Sequence, residues 1–270
     1  MKKTGRMTVA DLLELRGKRQ LAMLRVETLE EAEAAERAGI HMVSVPPHLM
    51  LKPAFRDAAP SVFAIPGADF FEIGTTEDFV RWAFGLYKAG ADAVYCSASL
   101  HTIRRLADEG IPVCGHAGLI PAKATWTGGF RAVGKTLETA QLVWRQVRKL
   151  EEAGAFAAEI EVVPEGIATE ISRRTSLFMI SMGSGAGCDA QYLFSEDVLG
   201  ANTGHIPRHA KTYRNFAAEY ARLQEERIGA YREFAEDVRR GAYPEARHGV
   251  AAGEQLLSQF RHWLDDQQAV

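Results

Sequence analysis

Residues 137–163 read LETAQLVWRQVRKLEEAGAFAAEIEVV. Two periodicities meet in this stretch. From Leu137 to Ala153 the apolar residues recur at helical spacing, and Gly154 stops the run. From Ala157 to Val163 the pattern switches to period two, with Ala158, Ile160 and Val162 on one face and Glu159 and Glu161 on the other. Helix, glycine stop and strand in direct succession form the second half of a βαβ unit. The strand at Pro112 to His116 supplies the first half.

The unit recurs outward from this point. Upstream, strands are predicted at residues 19–26, Met42 to Val45, 62–66 and Ala93 to Ser97. Helices run from Leu29 to the stop at Gly39, from a Thr76 cap to Gly90, and from Leu100 to Gly110. Downstream, a helix from Ile167 to Arg174 precedes a strand from Leu177 to Met182. This gives seven strands, with the last one or two elements of a closed barrel faint. No Pro, Gly or Ser-rich linker interrupts them. The expectation is an α/β fold, a (β/α)8 TIM barrel over residues 1–208 with additional C-terminal helices. An open doubly wound sheet is the rival, but its usual glycine-rich phosphate fingerprint after the first strand is absent. Residues 209–270 form a helical extension packed on the barrel or on a neighbouring subunit. Phe216, Tyr220, Leu223, Tyr231, Phe234 and Val238 make a rough helical stripe there, weakened by Gly229.

Composition narrows the class. The chain has 270 residues, 47% hydrophobic and 25% charged, as a soluble globular domain does. A net charge of −3 offers no basic field for a polyphosphate backbone, so no nucleic acid partner is expected. No apolar run reaches the roughly 20 residues that cross a bilayer, so no membrane partner is expected. The basic start lacks a following apolar region, which predicts no signal peptide. Cys96, Cys114 and Cys188 are widely spaced, which fits buried thiols in a reducing cytoplasm rather than disulfides or a zinc knuckle.

In a parallel barrel, functional groups gather at the C-terminal ends of the strands. That rule selects His48 after the second strand, Asp69 after the third, Tyr95 and Ser97 on the fourth, Cys114 and His116 on the fifth, Glu159 and Glu161 on the sixth, and the glycine run from 183 to 187 after the seventh. The apolar partners of Glu159 and Glu161 belong under helices, so both carboxylates face the barrel axis. There they must be protonated, hydrogen-bonded or paired with a cation. Glu159 is equally readable as structural. The glycine run offers either free N–H groups at a helix start, suited to an anion, or a plain tight turn. His41, Asp69 and His101 lack partners in the sequence and read as ordinary surface groups.

The segment from Ile111 to Pro121, which contains Cys114-Gly115-His116-Ala117-Gly118, resembles the fifth-strand motif of the ketopantoate hydroxymethyltransferase family. This family sits in the barrel superfamily of phosphoenolpyruvate mutase and isocitrate lyase. Gly128-Gly129-Phe130, Glu161-Val162-Val163-Pro164, Gly183-Ser184-Gly185 with Asp189 and Gln191, and Gly204-His205-Ile206-Pro207 resemble its later motifs in order. The resemblance implies a catalytic role for Glu161 as general acid/base and for His116 as a hydrogen-bond donor. It implies substrate contacts from His48, Tyr95, Ser97 and Ser184. The substrate would be a small 2-oxo acid or related carboxylate, with a C–C bond made or broken through an enolate. The family uses magnesium and methylene-tetrahydrofolate, and it assembles into homo-oligomers. The places of its magnesium-binding acids are occupied here by Pro47, Gly67 and Ser97, while Glu159 stands where the family is usually apolar. Three readings follow: enolate chemistry without the usual magnesium, the family's own hydroxymethyl transfer with a magnesium or other metal displaced toward Glu159, Glu161 and a histidine, and a non-catalytic binding or assembly barrel.

Overall fold

The alternation of strand and helix closes on itself. The computed structural model describes residues 5–68 and 72–268. Its eight strands are β1 (Leu21–Arg25), β2 (Met42–Val45), β3 (Phe63–Pro66), β4 (Val94–Tyr95), β5 (Val113–Gly118), β6 (Ala157–Glu161), β7 (Phe178–Met182) and β8 (Ala190–Phe194). All pair in parallel, in the order β3-β2-β1-β8-β7-β6-β5-β4, and a bridge between Gly67 and Tyr95 joins the two ends of that row. The fold is therefore a TIM-like barrel followed by C-terminal helices. Two compact units result, Met1–Asn215 and Phe216–Val270. The second contains a 25-residue helix, Phe216–Arg240, and a helix Glu254–Gln268. Among the described residues, no helix is long and apolar enough to cross a membrane.

Local chemistry sets the helix ends. Thr8, Thr28, Thr75, Ser99 and Thr136 each accept the backbone N–H three residues on, so five of the described helices start at a hydroxyl cap. The cap of the helix Thr76–Lys88 is Thr75 rather than Thr76, because it is the Thr75 hydroxyl that takes the Asp78 N–H. Gly154, read as a stop, has φ of 86° and ends the helix Leu137–Glu152 as a left-handed residue.

Strand alternation divides the core. Leu21, Met23, Met42, Phe63, Ile65, Ala93, Cys114, Ala157, Phe178, Ile180, Ala190 and Tyr192 pack together inside the barrel, and Leu12 from the helix Val9–Leu15 joins them. The alternate residues, including Val43, Ala64, Val94, Val113, Ala158, Ile160 and Met179, pack in two clusters with the surrounding helices. The lower half of the barrel is thus filled with apolar side chains, and the cavity lined by Glu159 and Glu161 opens above it.

Three sequence expectations need correction. The strand Ala190–Phe194 follows the glycine run directly, so that run is not a helix start. Its Gly185 carbonyl accepts from Ser181 Oγ and Gln191 Nε2, and its Ala186 N–H donates to Glu165. The long helix begins at Phe216, not at 209. The helix expected from Ile167 starts earlier, at Glu165 directly after Pro164.

Glu36 illustrates how the outer layer is tied. Its carboxylate accepts from Ser61 N (2.9 Å), Val62 N (3.0 Å) and Ser61 Oγ, pinning the entrance to β3. Burial pushes its pKa up, but these hydrogen bonds outweigh burial and leave it below the ordinary value. Its contribution is therefore present above the unfolded-state pKa and lost as pH falls through the lower folded value. Glu36→Gln should cost about 1–2 kcal/mol at pH 7 by urea denaturation, and the gap should close toward acid pH. A gap that does not change with pH would mean the carboxylate is not bonded in this way.

Candidate active site

The polar ends of the inward-facing rows meet in one cavity of about 800 Å³ at the C-terminal ends of the strands. Arg25, Ser44, Tyr95, Ser97, His116, Glu159, Glu161 and Tyr192 line it, with Lys123 and Phe130 from the segment after β5.

The structure joins four of the sequence candidates in a chain. The Tyr95 hydroxyl donates to Glu159 Oε2 at 2.8 Å and lies 2.5 Å from His116 Nδ1. With the phenol proton directed at Glu159, His116 holds a proton on Nδ1 and donates it to the phenol oxygen. The other ring nitrogen, Nε2, is 3.0 Å from Glu161 Oε2. This separation suits an ion pair, yet the N–H does not align on any protein acceptor, so Nε2 is buried without a hydrogen-bond partner among the described residues. An atom placed between Nε2 and the cavity would complete it.

The charges in this chain shift one another. Glu159 is 4% exposed. Burial raises its pKa and Glu161 adds to the rise, against the opposing effects of His116 and the Tyr95 hydrogen bond. Burial works against a charged His116, but Glu159 and Glu161 outweigh it and raise its pKa, which favours an imidazolium. Burial and Glu159 hold the Tyr95 hydroxyl well above its usual range, so it stays a donor. Tyr95→Phe should therefore cost about 1–3 kcal/mol in urea denaturation, because it strips a hydrogen bond from a buried carboxyl and a partner from Nδ1. An unchanged midpoint would mean the bridge is not formed.

The backbone fixes where Glu161 points. Val162, the next residue, has φ of 50°, rare for a β-branched side chain. Its N–H donates to Met182 O and its carbonyl accepts from Val133 N. The Glu161 carbonyl accepts from Leu119 N at 2.9 Å.

Two sequence candidates lie apart from the lining. His48 is exposed on the short helix Pro47–Met50. Ser184 is fully buried, donating to Ile160 O at 2.8 Å and accepting from Val163 N at 2.9 Å, so it braces the end of β6 from behind. Asp69 lies outside the described residues. His41 has partners in Ala22 N and Arg19. Cys114 is buried, and burial raises the Cys96 thiol to about 11. Arg25, Ser44 and Tyr192 were missed by the sequence reading. The strand-end rule applied to β1 would have found Arg25, its last residue.

Cation sites were tested against the donor set. Magnesium prefers oxygen ligands, mainly carboxylates and water. Pro47, Gly67 and Ser97 supply no carboxylate, and a Cβ on Gly67 would sit 3.2 Å from the Tyr95 Cβ. The described residues at these three places thus offer a hard cation no carboxylate, and Asp69, two residues past Gly67, lies outside the described residues. His116, Glu159 and Glu161 present one nitrogen and two carboxylate oxygens within 4.8 Å of one another. This mixed set suits a borderline transition ion better than magnesium, though His116 and Glu159 each already engage Tyr95.

Comparison with known proteins adds independent findings. The sequence model described as ketopantoate hydroxymethyltransferase matches residues 55–246. The 3-methyl-2-oxobutanoate hydroxymethyltransferase of Kosmotoga olearia is 33% identical over 261 residues, covering 88% of this chain and 95% of the relative. That of Thermotoga maritima is 32% identical over 265 residues, covering 90% and 96%. Among solved structures, 2,3-dimethylmalate lyase, a member of the PEP mutase/isocitrate lyase superfamily, superposes with a TM-score of 0.50 at 14% identity, covering 98% of this chain and all of that one (100%). Phosphonopyruvate hydrolase gives a TM-score of 0.50 at 15% identity, covering 97% and 99%. At these identities the solved structures speak to the fold alone.

Proposed function

The chain belongs to the ketopantoate hydroxymethyltransferase family, and from that premise we propose that it makes or breaks a C–C bond beside the carbonyl of a small 2-oxo acid through an enolate. The observation that carries the reading is the pairing of Glu161 with His116 Nε2 at 3.0 Å on the wall of the cavity. Glu161 removes the proton on the carbon next to the keto group, and that proton resides on its carboxyl. His116, held as an imidazolium by two carboxylates, donates from Nε2 to the oxygen that becomes the enolate. Tyr95 keeps the ring oriented, and Ser97 adds a hydroxyl to the wall. The nucleophilic carbon then attacks an electrophilic one-carbon unit, or in reverse releases it. The chemistry proceeds without the family's usual magnesium. An imidazolium beside the keto oxygen supports this, as do the positions of Pro47, Gly67 and Ser97.

A second reading keeps hydroxymethyl transfer with a displaced metal, and the His116, Glu159 and Glu161 cluster favours it. One assay separates the two. The 3-methyl-2-oxobutanoate is incubated in deuterated buffer, and exchange at its C3 proton is followed by NMR before and after chelator treatment, alongside metal analysis. Exchange that survives chelation is the expected result. Exchange that is lost with the chelator and restored by a divalent ion selects the displaced metal. Neither exchange nor turnover of any 2-oxo acid would select a non-catalytic barrel. Buried free cysteines suit a reducing cytoplasm, and the amphipathic C-terminal helices suit assembly with further copies of the chain.

A further inference from the structure

We propose that Arg25 is the receptor for the substrate's carboxylate, an inference that rests on the enolate reading above. Arg25 ends β1, in the inward row that begins with Leu21 and Met23, and its head lines the same cavity as Glu161. Its side chain is only 18% exposed. A guanidinium does not lose its charge at any working pH, so this is a fixed and largely desolvated cation.

Its present contacts leave it incompletely matched. Nε donates to Glu27 Oε1 at 2.6 Å, and Nη1 donates to Ser44 Oγ at 3.3 Å. Nη2 has no hydrogen-bond partner among the described residues. Glu27 also lines the cavity, but it is 54% exposed, so water screens its pairing with Arg25. The two contacts hold the head at the junction of β1 and β2, where Arg25 and Ser44 are register partners. A planar donor fork held in this way matches a carboxylate.

The sheet order also sets Arg25 apart from the two glutamates. Glu159 and Glu161 lie on β6, and β8 and β7 stand between β6 and β1 in the sheet order. An anion seated on Arg25 is therefore held from a different strand than the two carboxylates, in the same cavity as His116. Lys123 lines the cavity too, but it is exposed, with a flexible point charge. Pro47, Gly67 and Ser97 bring no carboxylate to hold a cation, and Arg25 supplies a positive charge for a 2-oxo acid.

The test is binding without turnover. Calorimetry of 3-methyl-2-oxobutanoate, with no one-carbon donor present, is run on the wild type and on Arg25→Gln, Arg25→Lys and Glu161→Gln. Its uncharged amide, 3-methyl-2-oxobutanamide, is titrated into the wild type and Arg25→Gln. Arg25→Gln should raise the Kd of the acid at least about 30-fold, and Arg25→Lys should lie between it and the wild type. Glu161→Gln should bind the acid at least as tightly as the wild type. The wild type should prefer acid to amide, and Arg25→Gln should lose that preference. In steady state, KM should rise far more than kcat falls. Arg25→Gln binding within about threefold of the wild type, or a wild type indifferent between acid and amide, would overturn the proposal. The amide arm needs no variant, so a folding defect cannot mask the answer. If Glu161→Gln turns over normally while the acid still depends on Arg25, the enolate reading fails and the receptor stands. If the wild type binds no 2-oxo acid, both fail.

Discussion

Glu161→Gln is expected to lower kcat by about 10²-fold or more while leaving the fold intact. Gln keeps the volume and the hydrogen-bonding reach of the side chain and removes its basicity. Glu161 is the last residue of β6, with its backbone held by Leu119 and paired in register with Gly118 and Met182. The amide therefore occupies the same place. The side chain is partly open to the cavity, at 12% exposure, and although the change takes one carboxylate from the buried His116, Glu159 remains beside it as a counter-charge. It also relieves part of the crowding that raises the pKa of Glu159. The melting temperature should stay within a few degrees of the wild type. Deuterium exchange into the 2-oxo acid should fall in parallel with turnover, because both require the same proton abstraction. A variant that exchanges and turns over at the wild-type rate would remove Glu161 from the chemistry.

Gly118→Ala should be the most damaging single change near the site by structural means alone. Gly118 has φ of 83°, and a Cβ built there would lie 2.5 Å from the Glu161 carbonyl oxygen and 2.7 Å from Val163 Cγ2. The nearer obstacle is backbone, and it belongs to the residue whose side chain carries the proposed proton transfer. Left-handed strain and displacement of β6 together should cost about 3 kcal/mol, or roughly 6–12 °C in Tm for a domain of this size. Turnover should fall further than stability alone explains, since moving Glu161 by even 1 Å can lose about 10²-fold. Denaturation and kinetics at a temperature where the variant remains folded separate the two effects. A variant with wild-type Tm and activity would show that β5 and β6 tolerate a side chain between them.

The fold was legible because its signals are local. Hydroxyl caps act three residues away and glycine stops act at one residue, so the helix ends at Ser99 and Gly154 appear in the sequence itself. Seven of the eight strands were readable for the same reason. Ala190–Phe194 was not. It is short, it follows a run of glycines, and Gln191 and Phe194 do not separate cleanly into an inner and an outer row. Its strand character depends on the ladder it shares with β1 and β7.

The inward face of Glu159 and Glu161 was determined by the sequence alone, because the two-residue period of a strand assigns Ala158 and Ile160 to the opposite side wherever the strand lies. The partners of those carboxylates were decided by the tertiary structure. Tyr95 and Glu159 are 64 residues apart and reach 2.8 Å only because β4, β5 and β6 are neighbours in the barrel. Closure likewise brought Arg25 and Glu161 to one cavity and set Ser184 behind β6. Side-chain direction is a property of a few consecutive residues, whereas hydrogen-bond partners and cavity walls come from segments that the chain brings together only when the barrel closes.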